Sequence, residues 1–127
     1  MKRVVQDMLK IYKPYSNLDW MNYKLVKKDV TFHHIKKKCD GGRLEISNGG
    51  LLMPNSHAYL HLIEFLDFDT YIALNEIFKD INIQGYEPQR DQRLIIESLL
   101  LDFESIHRWD KGNKGKILIK HKYLERW

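Results

Sequence analysis

Apolar positions recur at helical spacing along most of this chain and alternate only in a short central part. Val4, Val5, Met8, Leu9, Ile11 and Tyr12 fall on one side of a predicted helix, which Pro14 stops. Residues 16–20 read as a turn. Residues 23–26 and 29–34 predict two short strands with a bend near 27–29; Val30, Thr31 and Phe32 are β-branched or aromatic, as a strand prefers. Leu44 and Ile46 alternate with Glu45 and Ser47, which predicts a further short strand, and Asn48-Gly49-Gly50 reads as the turn after it. Leu51 and Leu52 are expected to be buried.

Pro54-Asn55-Ser56 announces a helix over about 57–66, capped by Asn55 or Ser56. Asp69 or Thr70 caps another over about 71–81, with Ile72, Leu74, Ile77 and Phe78 on its apolar side. Gly85 and Pro88 bracket a break. The longest helix is predicted over about 89–109, with Leu94, Ile95, Leu99, Leu100, Phe103 and Ile106 facing inward. Residues 111–116 form a basic linker, and 117–124 a last short element or a tail. The pattern predicts an α+β fold: a small β-hairpin plus helix embedded in a mostly helical single domain over 1–127.

Composition narrows the function classes. A hydrophobic content of 43% against 30% charged residues excludes a disordered chain. No run of about 18 apolar residues exists, so no membrane span is expected. Lysines and an acid interrupt the N-terminal segment before an apolar region can form, which argues against a signal peptide. Cys39 is the single cysteine and forms neither an internal disulfide nor a cysteine-based zinc site, so a reduced, cytoplasmic setting is expected. The net charge of +4 is unevenly spread: residues 1–38 hold ten Lys/Arg and three acids, residues 39–110 five and thirteen, residues 111–127 six and one. Such segregation suits either a polyanion bound by the basic ends or complementary packing between segments.

Four of the six histidines lie in one stretch: His33-His34, then Gly41-Gly42, Asn48, and His57-x-x-x-His61. Adjacent histidines on a strand point to opposite faces, so each can have its own task. Histidines four apart on a helix share a face and can grip one ion together. Each pair taken alone reads better as ordinary surface, cap or strand-end residues. The full ordered set is the informative signal. His107 and His121 fall outside it and read as surface residues, and Cys39 has no ligand role. Trp20, Trp109 and Trp127 read as core or interface residues.

This set resembles the HNH nuclease motif, the ββα-metal finger, in its His-rich branch typified by DNase colicins. The match covers about residues 29–66: His33-His34-Ile35, the Gly41-Gly42 turn, Asn48, Leu51-Leu52, His57 and His61, with nine residues from Asn48 to His57 and four from His57 to His61. The resemblance implies a metal-dependent endonuclease hydrolysing DNA phosphodiesters. It implies one divalent metal ion held by His33, His57 and His61, His34 as general base, and Asn48 bonded to the loop backbone near His34. Three imidazoles favour Zn, Ni, Co or Mn in raw affinity, while Mg or Mn suits phosphate oxygen, so the working ion stays open. A base separate from the ligands is chemically required, because a ligated nitrogen cannot accept a proton.

Lys36, Lys37, Lys38 and Arg43 follow the base and are candidate contacts to DNA phosphates, or else a solvated loop. The basic tail over 111–127 is a second phosphate contact or a soluble end. Unlike many HNH proteins, the chain has no Cys-x-x-Cys pairs to build a structural zinc, and no DNA-reading module is recognisable, so its specificity is not legible. Small stand-alone proteins of this kind resemble those of phages and mobile elements. A single site cuts one strand, so a double-strand break implies a homodimer or two binding events. RNA as substrate also stays open. The alternative is a catalytically silent binding module that takes DNA or a host protein; a second histidine beside a ligand argues against it.

Overall fold

The computed structural model describes residues 1–107. The predicted linker at 111–116, the element at 117–124, and Trp109, His121 and Trp127 lie outside the described residues. Four helices and one two-stranded antiparallel sheet give a mixed, mostly helical α+β architecture. In chain order these are α1 (Arg3–Tyr12), β1 (Thr31–His34), β2 (Gly49–Leu52), α2 (Pro54–Leu66), α3 (Phe68–Gln84) and α4 (Arg90–Ile106). Among the described residues no helix is long and apolar enough to cross a membrane.

The strand that pairs with β1 is not the predicted one. Phe32 lies opposite Leu51, His33 opposite Gly50 and His34 opposite Gly49. Ile46–Asn48 forms a 3-10 turn, while the glycines read as a turn run extended inside β2. The reason is packing. A Cβ on Gly49 would fall 2.5 Å from Phe32 Cε2 and 2.7 Å from Met8 Sδ, and one on Gly50 would fall 3.2 Å from Trp20 Cε3. The predicted strand at 23–26 is reduced to one bridge between Leu18 and Lys24, and Lys27–Asp29 is a 3-10 turn.

Trp20 sits at the centre. It is buried, meets Tyr12 of α1 edge-on at 5.2 Å and Phe78 of α3 at 6.2 Å, and its backbone N–H donates to Leu51 O at 3.1 Å. Around it pack Met8, Leu52, Leu60, Ile63, Leu74 and Ile81, with Ile96, Leu100 and Phe103 bringing in α4.

The helix phases need correction. On α4 the buried stripe is Ile96, Leu100 and Phe103 with Glu104, whereas Leu94, Ile95 and Ile106 are exposed. Apolar residues occupy two faces of that helix, so spacing alone does not choose between them. On α3 the buried face is Tyr71, Leu74, Asn75, Phe78 and Ile81, and Ile72 is exposed.

Capping differs too. Pro54 occupies the first turn of α2 with Met53 as its cap, and Ser56 is buried inside that turn. Asp67 rather than Asp69 or Thr70 caps α3, accepting from the Thr70 N–H at 3.2 Å. Gln89 and Gln92 form a capping box on α4.

Candidate functional site

The pleat of β1 sends its two histidines to opposite faces. His33 turns inward, 3% exposed, with its ring edge-on to Phe78 at 5.7 Å and its Nε2 2.7 Å from Asn75 Oδ1 on α3. Burial pushes its pKa down to about 4, opposed by the Asn75 hydrogen bond and reinforced by His61 and His34. The ring is therefore neutral near pH 7. With Asn75 Oδ1 as acceptor, Nε2 carries the proton and the lone pair lies on Nδ1.

The first two turns of α2 bring His57 and His61 to the same place. The His57 ring stands perpendicular to His33 at 5.5 Å and lies within 13° of parallel to His61 at 5.0 Å. Thr31 fixes the His57 tautomer. Its hydroxyl donates to Leu52 O at 2.7 Å and has no second proton, so His57 Nδ1, 3.1 Å away, is the donor to it. His33 and His57 thus each offer one ring N–H to a neutral oxygen, the partner arrangement that metal-binding histidines commonly show. His61 Nδ1 lies 3.6 Å from Glu64, which also pairs with Lys37.

The donor chemistry suits a borderline metal ion, but the rings do not converge. Among the described residues no group of three or more His, Cys, Asp or Glu side chains is set to hold an ion. Metal–nitrogen bonds of about 2.0–2.1 Å require all ligand nitrogens to aim at one point, and near-parallel rings on His57 and His61 do not. Ligation by all three histidines requires at least the half-exposed His61 ring to turn.

His34 occupies the other face of β1. Its ring meets Phe32 edge-on at 4.8 Å. Its pKa is lowered by partial burial first, then by Lys2, just before α1, and by Lys38. The structure therefore gathers His33, His57 and His61 into one row and leaves His34 across the strand from it.

Asn48 braces the backbone beyond His34. Its Oδ1 accepts from Lys36 N–H at 2.7 Å, and its Nδ2 donates to Lys36 O at 3.0 Å and Arg43 O at 3.1 Å. The backbone joins in, Ile35 N–H donating to Asn48 O at 2.9 Å. Among the candidate phosphate contacts, Lys36, Lys38 and Arg43 are exposed. Lys37 is instead turned toward Glu64 and stands 5.6 Å over the Tyr71 ring.

Sequence reasoning missed three supporting residues. Asn75 interrupts the buried stripe of α3, and a polar residue on an apolar face was the available signal. Thr31 read only as a strand former. Asp19 gave no signal at all, yet its fully buried carboxylate accepts from Met21 N–H at 2.9 Å, Tyr23 N–H at 3.0 Å and Met53 N–H at 2.9 Å, tying an early loop to the start of the histidine-bearing helix.

Comparison of the chain with protein families, with curated proteins and with solved structures finds no match.

Proposed function

We propose that this chain is an HNH-type endonuclease that hydrolyses DNA phosphodiester bonds with one divalent ion. The observation that carries the reading is the continuous row of His33, His57 and His61 across the strand–helix junction, in a strand–strand–helix order with Asn48 tied to the loop after His34. His33, His57 and His61 would hold the ion, and such an ion supplies Lewis-acid polarisation of a phosphate. His34 accepts the proton of the attacking water, and Asn48 keeps the backbone beyond it in place. Lys36, Lys38 and Arg43 meet the phosphate backbone.

Supercoiled plasmid incubated with metal-stripped protein plus Mg, Mn, Ni, Co or Zn tests this directly. Wild type is expected to give nicked or linear product, and His34→Ala to bind DNA and metal but lose cleavage by at least a hundredfold, the scale of a missing general base. Cleavage by His34→Ala at the wild-type rate refutes the base assignment.

A second reading has its own support. The unconverged rings and the position of His34 across the strand favour a binding module that uses the same surface without chemistry. It predicts salt-dependent DNA binding with no product under any metal.

A further inference from the structure

A cleft of about 470 Å³ lies between the 35–48 connection and α3. That volume falls within the roughly 300–1,000 Å³ of small-ligand sites. Lys36 and Asn48 form one wall, Phe68, Tyr71 and Lys79 line the helix side, and Asn75, the partner of His33, lies among them. The cleft therefore abuts both the histidine row and the segment that Asn48 braces.

Its lining combines an aromatic platform with positive charge. Phe68 opens α3, is 56% exposed and lines the cleft, so its ring is open to a ligand there. Its ring is backed by Tyr71 at 5.8 Å and 27°, which limits the order it must gain on stacking. Lys37 already covers Tyr71, so Phe68 is the face on offer. Lys36 and Lys79 are exposed, and neither makes an ion pair among the described residues. Asp40 and Glu76 also line the cleft; as acceptors they suit the amino groups of a base and leave the phosphate to the lysines.

We infer that this cleft receives one unpaired nucleotide of a DNA strand, its base stacked on Phe68 and its phosphate held by Lys36 and Lys79. A duplex offers only base edges and phosphates to a protein, so an aromatic face is useful only to a base outside the stack. The inference rests on the nucleic-acid part of the proposed function and adds the form of the substrate: DNA with a single-stranded segment beside the cut.

The test is fluorescence anisotropy of the full chain in chelator, where cleavage cannot interfere, with a labelled oligodeoxycytidylate and a labelled blunt-ended duplex of two separate strands. Wild type is expected to bind the single strand more tightly. Phe68→Ala should weaken single-strand binding about tenfold, the scale of one lost stacking contact, and change duplex binding less than twofold. Phe68→Tyr should behave as wild type. The double variant Lys36→Ala with Lys79→Ala should flatten the salt dependence of single-strand binding. Tighter binding of the duplex by wild type, or a Phe68→Ala effect that is absent or equal on both probes, overturns the inference. His34→Ala should keep the single-strand preference, so an absence of nicking leaves the cleft standing, and intact nicking without that preference removes the cleft alone.

Discussion

Gly49 holds its place in β2 by what it lacks. Its φ of −105° is open to any residue, so backbone freedom is not the reason for glycine. The reason is the closeness of Phe32 and Met8, which leave no room for a methyl group. Gly49→Ala is expected to destabilise the fold by about 1–3 kcal/mol through overpacking. Gly50→Ala should cost less, since its nearest neighbour, Trp20, needs to give only a few tenths of an ångström. Urea titrations of the two variants check the ranking; equal midpoints would refute it. Asn75 makes a similar point with a polar group. It occupies a core position because the His33 N–H, buried beside Phe78, needs an acceptor.

At the scale of elements, α2 is held at its start by a residue from another part of the chain. Asp19 supplies the acceptor for the N–H of the cap residue Met53, the part that the third helical residue plays in a capping box. Burial raises its pKa from the ordinary 3.8 to about 6, although the nearby Ser56 hydroxyl, the N–H groups of Met53 and Met21, and Arg93 all pull it down. The folded protein thus holds this proton more tightly than the unfolded chain. The stability contributed is fully present below about pH 4 and is lost as pH rises through about 6, on the order of 3 kcal/mol at most. Asp19→Asn removes that slope. The stability gap between wild type and variant should be widest near pH 4 and shrink toward pH 7 in urea melts across that range; a gap that widens with pH would mean the N–H donors outweigh burial.

Elements of this kind mark where the sequence stops being readable. The helix ended by Pro14, the short strand through Phe32 and His33, and the three later helical stretches were legible because periodicity and proline act locally. The second strand was not, because a glycine pair signals a turn unless the side chains packed over it are known. The phase of α4 was hidden by apolar residues on two faces, Leu94 and Leu101 lying away from Ile96, Leu100 and Phe103. At the site, the order of His33, His34, Asn48, His57 and His61 was legible, whereas Thr31, Asn75 and Asp19 act through tertiary contacts that no local pattern carries.

Over the whole molecule, the segregated charge has little internal outlet. Among the described residues one ion pair, Lys37 with Glu64, joins the basic segment 1–38 to the acidic segment 39–110. Other joins between them pair a charged side chain with a neutral or backbone group, as Asp19 does with Met53 N–H and Glu87 with Ser16, or use neutral and backbone groups alone. Tyr12 donates to Asn82 O at 3.0 Å, Asn22 to Arg93 O at 2.9 Å, and Thr31 meets His57. Complementary packing of charges therefore accounts for little of the pattern, and much of the positive charge of the first segment stays available to a polyanion. The connection between β1 and β2 bears on a different matter. Fourteen residues, 35–48, separate the strands, and no two-residue turn sets their alignment. Correct pairing is selected by the fit of Gly49 under Met8 of α1 and of Gly50 under Trp20, which itself packs on Phe78 of α3, so that surface must exist first. The order of folding should accordingly run from helix docking to strand pairing, with the sheet as a late event. Pulsed hydrogen exchange during refolding is expected to protect the amides of α3 before those of β1 and β2, and the reverse order would show that the strands find each other unaided.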